Sequence, residues 1–321
     1  MEGRQCSKNC LVLDEHAALS ANFLMAEYWE VNFLLGLDYW EPNDLWETVA
    51  MLSQAGESVK LLAGGTDLLV RMKRKQVNCT GIINLKKLPG LDQIVFDGQT
   101  LRIGALTKIS GVVENETIKE YFPILATAAR SLGTPQIRNL ATVGGNLCNA
   151  SPAADVVPAL LVYGACLQIS GVQGTREITL DKFLLGPGQT ALAKGEIVTA
   201  IELVPPVTDA RGVFIKHGKR KSHEIAIVNL AVLLEPNQDN TSVAAAKIAL
   251  GAVASTAIRV RQAEEALTNQ KADENLWELA AAEAMAAVDP IDDVRSTAGY
   301  RKQMAGVLTK RALRMAWGGE A

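Results

Sequence analysis

Apolar positions along the chain change their period several times, and each change marks an element boundary. Leu45, Val49 and Leu52 stand at i, i+4 and i+7. They predict one face of a helix, capped by Asn43 or Asp44 and closed near Gly56. The period then shortens. Val59-Lys60-Leu61-Leu62-Ala63 reads as a strand that runs into Gly64-Gly65-Thr66-Asp67, with a helical pattern over 68–75 beyond it. Gly81-Ile82-Ile83-Asn84-Leu85 predicts a second strand and completes a βαβ-like unit. Ile94-Val95-Phe96 and Leu101-Arg102-Ile103 flank Asp97-Gly98, a hairpin signal. Residues 107–132 carry helical spacing, with Pro123 near the start of a second helix. A second glycine loop, Thr142-Val143-Gly144-Gly145-Asn146, precedes an apolar helix from Asp155 to Tyr163. Strands over 166–170, 176–179 and 197–204 end at Pro205-Pro206, the clearest linker signal in the chain.

Beyond Pro206 the texture changes. Strand-like runs over 213–217, 226–235 and 243–251 come first, and helical runs over 258–268, 273–287 and 297–315 follow. Strands followed by helices predict an α+β domain on a small antiparallel sheet. Residues 1–35 show no sustained period and read as an N-terminal extension. The expected organisation is therefore that extension, a domain over 36–208 with lobes at about 36–90 and 91–208, and a C-terminal domain over 209–321.

Composition narrows the function classes. Of 321 residues, 48% are hydrophobic and 21% charged, which excludes a chain too polar to fold. Lys and Arg number 32 against 35 Asp and Glu, so the basic excess of a nucleic-acid binder is missing. The longest apolar stretch, Val156 to Ile169, is broken by Pro158 and Gly164 and is shorter than the roughly 20 residues of a membrane span. The first residues lack the basic and apolar regions of a signal peptide. Five scattered cysteines, at 6, 10, 79, 148 and 166, favour a reduced compartment, and the expected location is cytoplasmic. Cys6 and Cys10 have no second ligand pair nearby, and no cysteine grouping suits an iron–sulfur cluster, so no metal site is expected. Cys148 reads as a small buried residue.

Candidate chemistry concentrates in the two glycine loops. Gly64-Gly65-Thr66-Asp67, between a strand and a helix, offers backbone N–H groups to an anion, and its glycines let the backbone approach closely. Thr66 can cap the helix or donate its hydroxyl to a phosphate. Thr142, Gly144, Gly145 and Asn146 repeat the equipment, so the pair of loops can clamp a pyrophosphate. Taken singly, each loop reads better as a plain tight turn, and neither matches Gly-x-Gly-x-x-Gly or the P-loop pattern. No paired carboxylates, nucleophile elbow or histidine pair points to bond-making by side chains.

Leu61-Leu62-Ala63-Gly64-Gly65-Thr66-Asp67-Leu68-Leu69 resembles the first FAD-pyrophosphate loop of the flavin subunits of molybdenum hydroxylases, the family of xanthine dehydrogenase and aerobic carbon monoxide dehydrogenase. Ala141-Thr142-Val143-Gly144-Gly145-Asn146-Leu147, with Ala150-Ser151-Pro152-Ala153-Ala154-Asp155, resembles the second loop. Gly195-Glu196-Ile197-Val198 before Ile201-Glu202 is similar to a third family segment, and Tyr300-Arg301-Lys302 with Leu308 and Arg311 resembles the closing helix. These matches run in order over about residues 37–316.

The resemblance implies a two-lobed FAD-binding domain of the vanillyl-alcohol-oxidase (PCMH) type, followed by the small α+β domain. It implies noncovalent FAD held by Leu62, Ala63, Gly64, Gly65, Thr66, Asp67, Leu68, Thr142, Gly144, Gly145 and Asn146. Asp155 would hold a ribityl or ribose hydroxyl, Ile197 and Val198 would lie near the isoalloxazine, and Lys216 would approach the ring or ribityl chain. It further implies molybdopterin on a large partner subunit and iron–sulfur clusters on a small one, with NAD among the possible acceptors. A stand-alone reductase or oxidase of the same superfamily, and a non-catalytic nucleotide-binding assembly module, are the competing readings.

Overall fold

A computed structural model describes residues 36–220 and 224–318. The expected extension over 1–35, with Cys6 and Cys10, lies outside the described residues, as do Lys221, Ser222 and His223.

The first lobe is parallel. Strand β1 (Asp38–Trp40), helix α1 (Leu45–Gln54), strand β2 (Val59–Leu62), helix α2 (Leu68–Lys73) and strand β3 (Gly81–Asn84) form a three-stranded sheet in the order β1-β3-β2. The βαβ expectation holds, and β1 is an addition. That strand is short and partly exposed, so no apolar run announces it. Helix α1 starts where its cap predicts: the Glu47 N–H donates to Asp44 Oδ1 at 2.8 Å, and Glu47 Oε2 accepts from the Asn43 N–H at 2.7 Å. Val49 on its buried face packs with Ile83, Leu106 and Ile197, tying this lobe to the next.

The second lobe is an antiparallel sheet with helices. Strands β4 (Ile94–Phe96) and β5 (Leu101–Gly104) make the predicted hairpin, with Gly98 at φ +92° and Asp97 Oδ1 accepting from Gln99 and Thr100 N–H groups. Helices α3 (Ile109–Glu114), α4 (Glu116–Tyr121), α5 (Pro123–Ser131), α6 (Pro135–Arg138), α7 (Val143–Cys148) and α8 (Val156–Val162) follow. Strands β6 (Cys166–Gly171) and β7 (Gly174–Thr179), helix α9 (Leu180–Phe183), the hairpin of β8 (Leu184–Gly186) and β9 (Gln189–Thr190), and strand β10 (Ile197–Leu203) complete it. The sheet order is β4-β5-β10-β6-β7.

The C-terminal part forms a second five-stranded sheet. Strands β11 (Arg211–His217), β12 (Val228–Pro236), β13 (Ser242–Gly251) and β14 (Ile258–Arg259) pair in that order, with helix α10 (Arg261–Leu267) and strand β15 (Gln270–Lys271) next, the latter on β13. Helices α11 (Glu274–Ala287) and α12 (Ala298–Trp317) close the chain. The helix expected over 258–268 is corrected at its start: Ile258 and Arg259 extend the sheet, and the helix begins at Arg261.

Alternation explains why β12 reads as a continuous apolar run. Phe214, Ala231, Leu233 and Ala249 face α5 and α8 of the second lobe. Leu230, Val232, Leu234, Ile248 and Leu250 face α10, α11 and α12. A sheet covered on both faces has no polar side. Buried polar groups lock its position. Arg259 Nη1 donates to the Leu161 carbonyl at 3.3 Å, and the Ala252 N–H donates to the Pro152 carbonyl at 2.7 Å. Arg301 on α12 donates to the carbonyls of Ile227 and Ala252 and to Asp293 Oδ1, at 2.7, 3.0 and 2.7 Å. No helix among the described residues is long and apolar enough to cross a membrane.

Buried Glu264 accepts two part-buried hydrogen bonds from Arg259, at 2.6 and 2.8 Å, and a buried one from the Ile248 N–H at 2.8 Å. Replacing Glu264 by Ala strands the Arg259 guanidinium beneath the sheet. The expected loss is about 3–5 kcal/mol of unfolding free energy, read by chemical denaturation. A loss below about 1 kcal/mol would show that water replaces the carboxylate there.

Candidate functional site

The first glycine loop turns where β2 gives way to α2. A Cβ built on Gly64 would stand 2.2 Å from the Leu140 carbonyl oxygen and 2.9 Å from Ala141 Cα. Glycine is therefore required because this loop touches the backbone that leads into the second one. Gly65 takes φ +78°, a left-handed conformation, and a Cβ there would also meet Leu62 and Leu69 Cδ1 at 3.0 Å. The N–H groups of Gly64, Gly65, Thr66 and Asp67 have no acceptor among the described residues. Thr66 does not cap α2. Asp67 occupies that position without a side-chain bond to the helix, and its carboxylate lies 3.8 Å from Arg71 Nη1.

The second loop proves to be the first turn of a helix. Thr142 is the cap of α7, its Oγ1 accepting from the Gly145 N–H at 3.1 Å. The Gly144 N–H donates to the Ala105 carbonyl at 2.8 Å, and a Cβ on Gly144 would meet Ala105 at 2.7 Å. This corrects the expected symmetry of the two loops. Gly144 and Gly145 spend their N–H groups inside the protein, so the unpaired donors lie on the first loop alone. The Thr142 hydroxyl hydrogen remains available to a ligand. Asn146 Oδ1 is buried without a donor, an orphaned acceptor at the same place.

Between the loops lies a cleft with about 330 Å³ of water-accessible space, within the range of small-molecule sites. Ala63, Gly64, Gly65, Thr66, Asp67, Leu68, Thr142, Gly144, Gly145, Asn146, Ile197 and Val198 line it. Thus residues 130 positions apart in the chain meet. Leu62 lies beneath the loop instead, in a small core with Met72 and Ile82.

Asp155 and Lys216 do not line the cleft. Lys216 Nζ donates to Asp155 Oδ2 at 2.7 Å and to the Ser131 carbonyl at 3.1 Å, while Asn229 Nδ2 donates to Asp155 Oδ1 at 3.1 Å. Burial pushes the Asp155 carboxyl up, and Lys216 and Asn229 oppose that rise. Both residues sit at the seam between the second lobe and the C-terminal sheet, where Lys216 reaches the carbonyl of Ser131, the residue before Leu132 of the cleft wall.

Other lining residues carry no motif. Leu132, Ile137 and Leu192 supply apolar wall from distant elements. Arg71, Cys148 and Asn149 follow from helical phase, one turn beyond Asp67, Gly144 and Gly145. Cys148 corrects the expectation of a buried cysteine. Its surface opens into the cleft, while protein encloses it on its other sides and pushes the thiol up towards about 12. Water admitted to the open cleft offsets part of that rise.

An edge of unpaired N–H groups beside an apolar trough suits a phosphate-bearing aromatic ligand, and comparison with known proteins shows the family to which the chain belongs. Residues 32–206 match the family model of the FAD-binding domain in molybdopterin dehydrogenase, and residues 214–316 match the C-terminal domain of CO dehydrogenase flavoprotein. The chain belongs to the FAD-binding medium subunits of the molybdenum hydroxylase family. It is 32% identical over 280 residues to the carbon monoxide dehydrogenase medium chain of Hydrogenophaga pseudoflava, covering 87% of this chain and 96% of that one. The xanthine dehydrogenase FAD-binding subunit of Escherichia coli O157:H7 is 31% identical over 257 residues, 79% of this chain and 87% of that one. Among solved structures, the Hydrogenophaga carbon monoxide dehydrogenase lacking the Mo-pyranopterin moiety superposes with a TM-score of 0.85, at 32% identity, covering 88% of this chain and 97% of that one. Quinoline 2-oxidoreductase of Pseudomonas putida 86 gives 0.82 at 26% identity, covering 88% and 96%. The chain is thus an oxidoreductase component, and its two-part α+β fold is that of the family.

Two expectations follow for this site. Gly64→Ala places a methyl group against the Leu140 carbonyl, and Gly65→Val strains a left-handed turn; each should purify with less than a tenth of the wild-type flavin per chain. Full flavin content in either variant, by visible absorbance, would contradict the loop geometry. Cys148 should react with iodoacetamide in the flavin-free chain, faster as pH rises past 9, and be protected when FAD fills the cleft. Peptide mass analysis reads both.

Proposed function

We propose that this chain is the FAD-carrying electron-transfer subunit of a multi-subunit molybdenum hydroxylase. One observation carries the reading: unpaired N–H groups from Gly64 to Asp67 border a cleft whose far wall is the apolar pair Ile197 and Val198. The two loops and the apolar trough would hold FAD, which would supply electron transfer between iron–sulfur clusters on a small partner subunit and an external acceptor such as NAD⁺. Substrate oxidation belongs to a large molybdenum subunit. The chain's own residues bind, orient and exclude water. N–H groups of the first loop take the phosphates, with Thr66 and Thr142 donating hydroxyl hydrogens. Asn146 Oδ1 accepts a donor from the ligand. Ile197 and Val198 present strand surface to the ring system.

The charge inventory supports a cofactor-centred role. Asp67 and Arg71 are the charged side chains lining the cleft, and both sit at the phosphate loop. Among the described residues, the lining beside Ile197 and Val198 holds no carboxylate, histidine or lysine to serve a stand-alone reductase as acid or base. No described histidine lines the cleft, which supports noncovalent attachment.

The visible spectrum of the purified chain, before and after acid precipitation, tests the first half. A two-banded flavin spectrum that leaves with the supernatant is expected. A colourless chain that takes up no added FAD would overturn the reading. Stopped-flow mixing of the co-purified complex with its substrate, without acceptor, tests the second half. Flavin bleaching should follow iron–sulfur reduction and reverse on adding the acceptor. Flavin that stays oxidised would favour an assembly module.

A further inference from the structure

Arg71 is the lone cationic side chain in the cleft lining among the described residues. It belongs to the run Arg71-Met72-Lys73-Arg74-Lys75, whose plainest role is a solvated helix face. Its surroundings argue for more. Its one charged neighbour in the cleft is Asp67, one helical turn earlier, and Nη1 stands 3.8 Å from Asp67 Oδ2. That distance exceeds a hydrogen bond, and the guanidinium has no hydrogen-bond acceptor among the described residues. About half of the Arg71 side chain is exposed, 48%, so it is free to turn.

The loop beside it presents a conflict. Unpaired N–H groups from Gly64 to Asp67 attract an anion, while the Asp67 carboxylate at their end repels one. A pyrophosphate brings further negative charge to the same spot. A cation within reach of both reconciles them, and a guanidinium fork matches phosphate oxygens geometrically. We propose that Arg71 is a phosphate-binding residue of the cofactor site, moving from Asp67 to the FAD pyrophosphate on binding. This inference rests on the FAD reading above and names the residue that balances its charge. Asp67 holds the guanidinium near the rim in the free chain and competes with the phosphate for it.

The test measures FAD affinity of the flavin-stripped full-length chain by flavin fluorescence quenching at several salt concentrations, with the melting temperature of each flavin-free variant. Arg71→Gln should weaken FAD about ten- to a hundredfold at low salt, the span of one charge-assisted bond. Its affinity should also depend less steeply on salt than the wild type's. Arg71→Lys should lose less, and Asp67→Asn should bind FAD more tightly. Arg74→Gln removes the same charge from the same run outside the cleft and should leave affinity within about twofold, as exposed surface substitutions do. Equal effects of Arg71→Gln and Arg74→Gln, or a fall in flavin-free melting temperature that accompanies the lost affinity, would overturn the assignment while the FAD reading stands. A wild-type chain that binds no FAD would remove both.

Discussion

The cleft exists because two backbones come into contact. Gly64 lies so near the Leu140 carbonyl that no side chain fits between them, and Gly144 packs as tightly on Ala105. These contacts set the first loop against the start of α7 and fix the width of the space between them. They also leave the N–H groups of Gly64 to Asp67 without partners among the described residues. Unsatisfied donors are costly when buried, and here they are tolerable because they open on a cleft. A ligand with phosphate oxygens recovers that cost, so the packing that shapes the site also creates its appetite for an anion.

Stability and chemistry are separated in this molecule. Ion pairs reinforced by further hydrogen bonds, such as Arg259 with Glu264 and Lys216 with Asp155, sit at seams where the C-terminal sheet meets the second lobe and its own helices. The cleft holds few charges, and those it holds are loosely engaged. Hydrogen-bonded ion pairs hold the frame, while the first loop's N–H groups and Asn146 Oδ1 open on the cleft without partners. That division suits a protein whose redox chemistry resides in a flavin and whose task is placement.

Much of the fold was legible along the chain. The cap at Asn43 or Asp44 and the spacing of Leu45, Val49 and Leu52 announced α1, Asp97-Gly98 announced the hairpin, and the change from strands to helices after Pro206 announced the C-terminal α+β unit. Misreadings came where local signal was weak or double. β1 is three residues of mixed polarity. Ile258 and Arg259 read as the start of the helical run over 258–268, but the open edge of β13 drew them into the sheet. Thr142 to Asn146 looked like a loop because glycines discourage helices, yet packing on Ala105 demanded them inside one. Asp155 and Lys216 carried the family's marks without revealing that they would face each other.

The sequence by itself determined element types, the glycine positions and the family, because periodicity, capping and loop motifs are written in neighbouring residues. Tertiary structure decided which N–H groups stayed free, which helix turned Arg71, Cys148 and Asn149 towards the cleft, and which distant leucines walled it. Those outcomes depend on what stands opposite a residue across space. Gly64 and Gly144 look alike in the chain, but only the first keeps its N–H for a ligand, because Ala105 lies against the second.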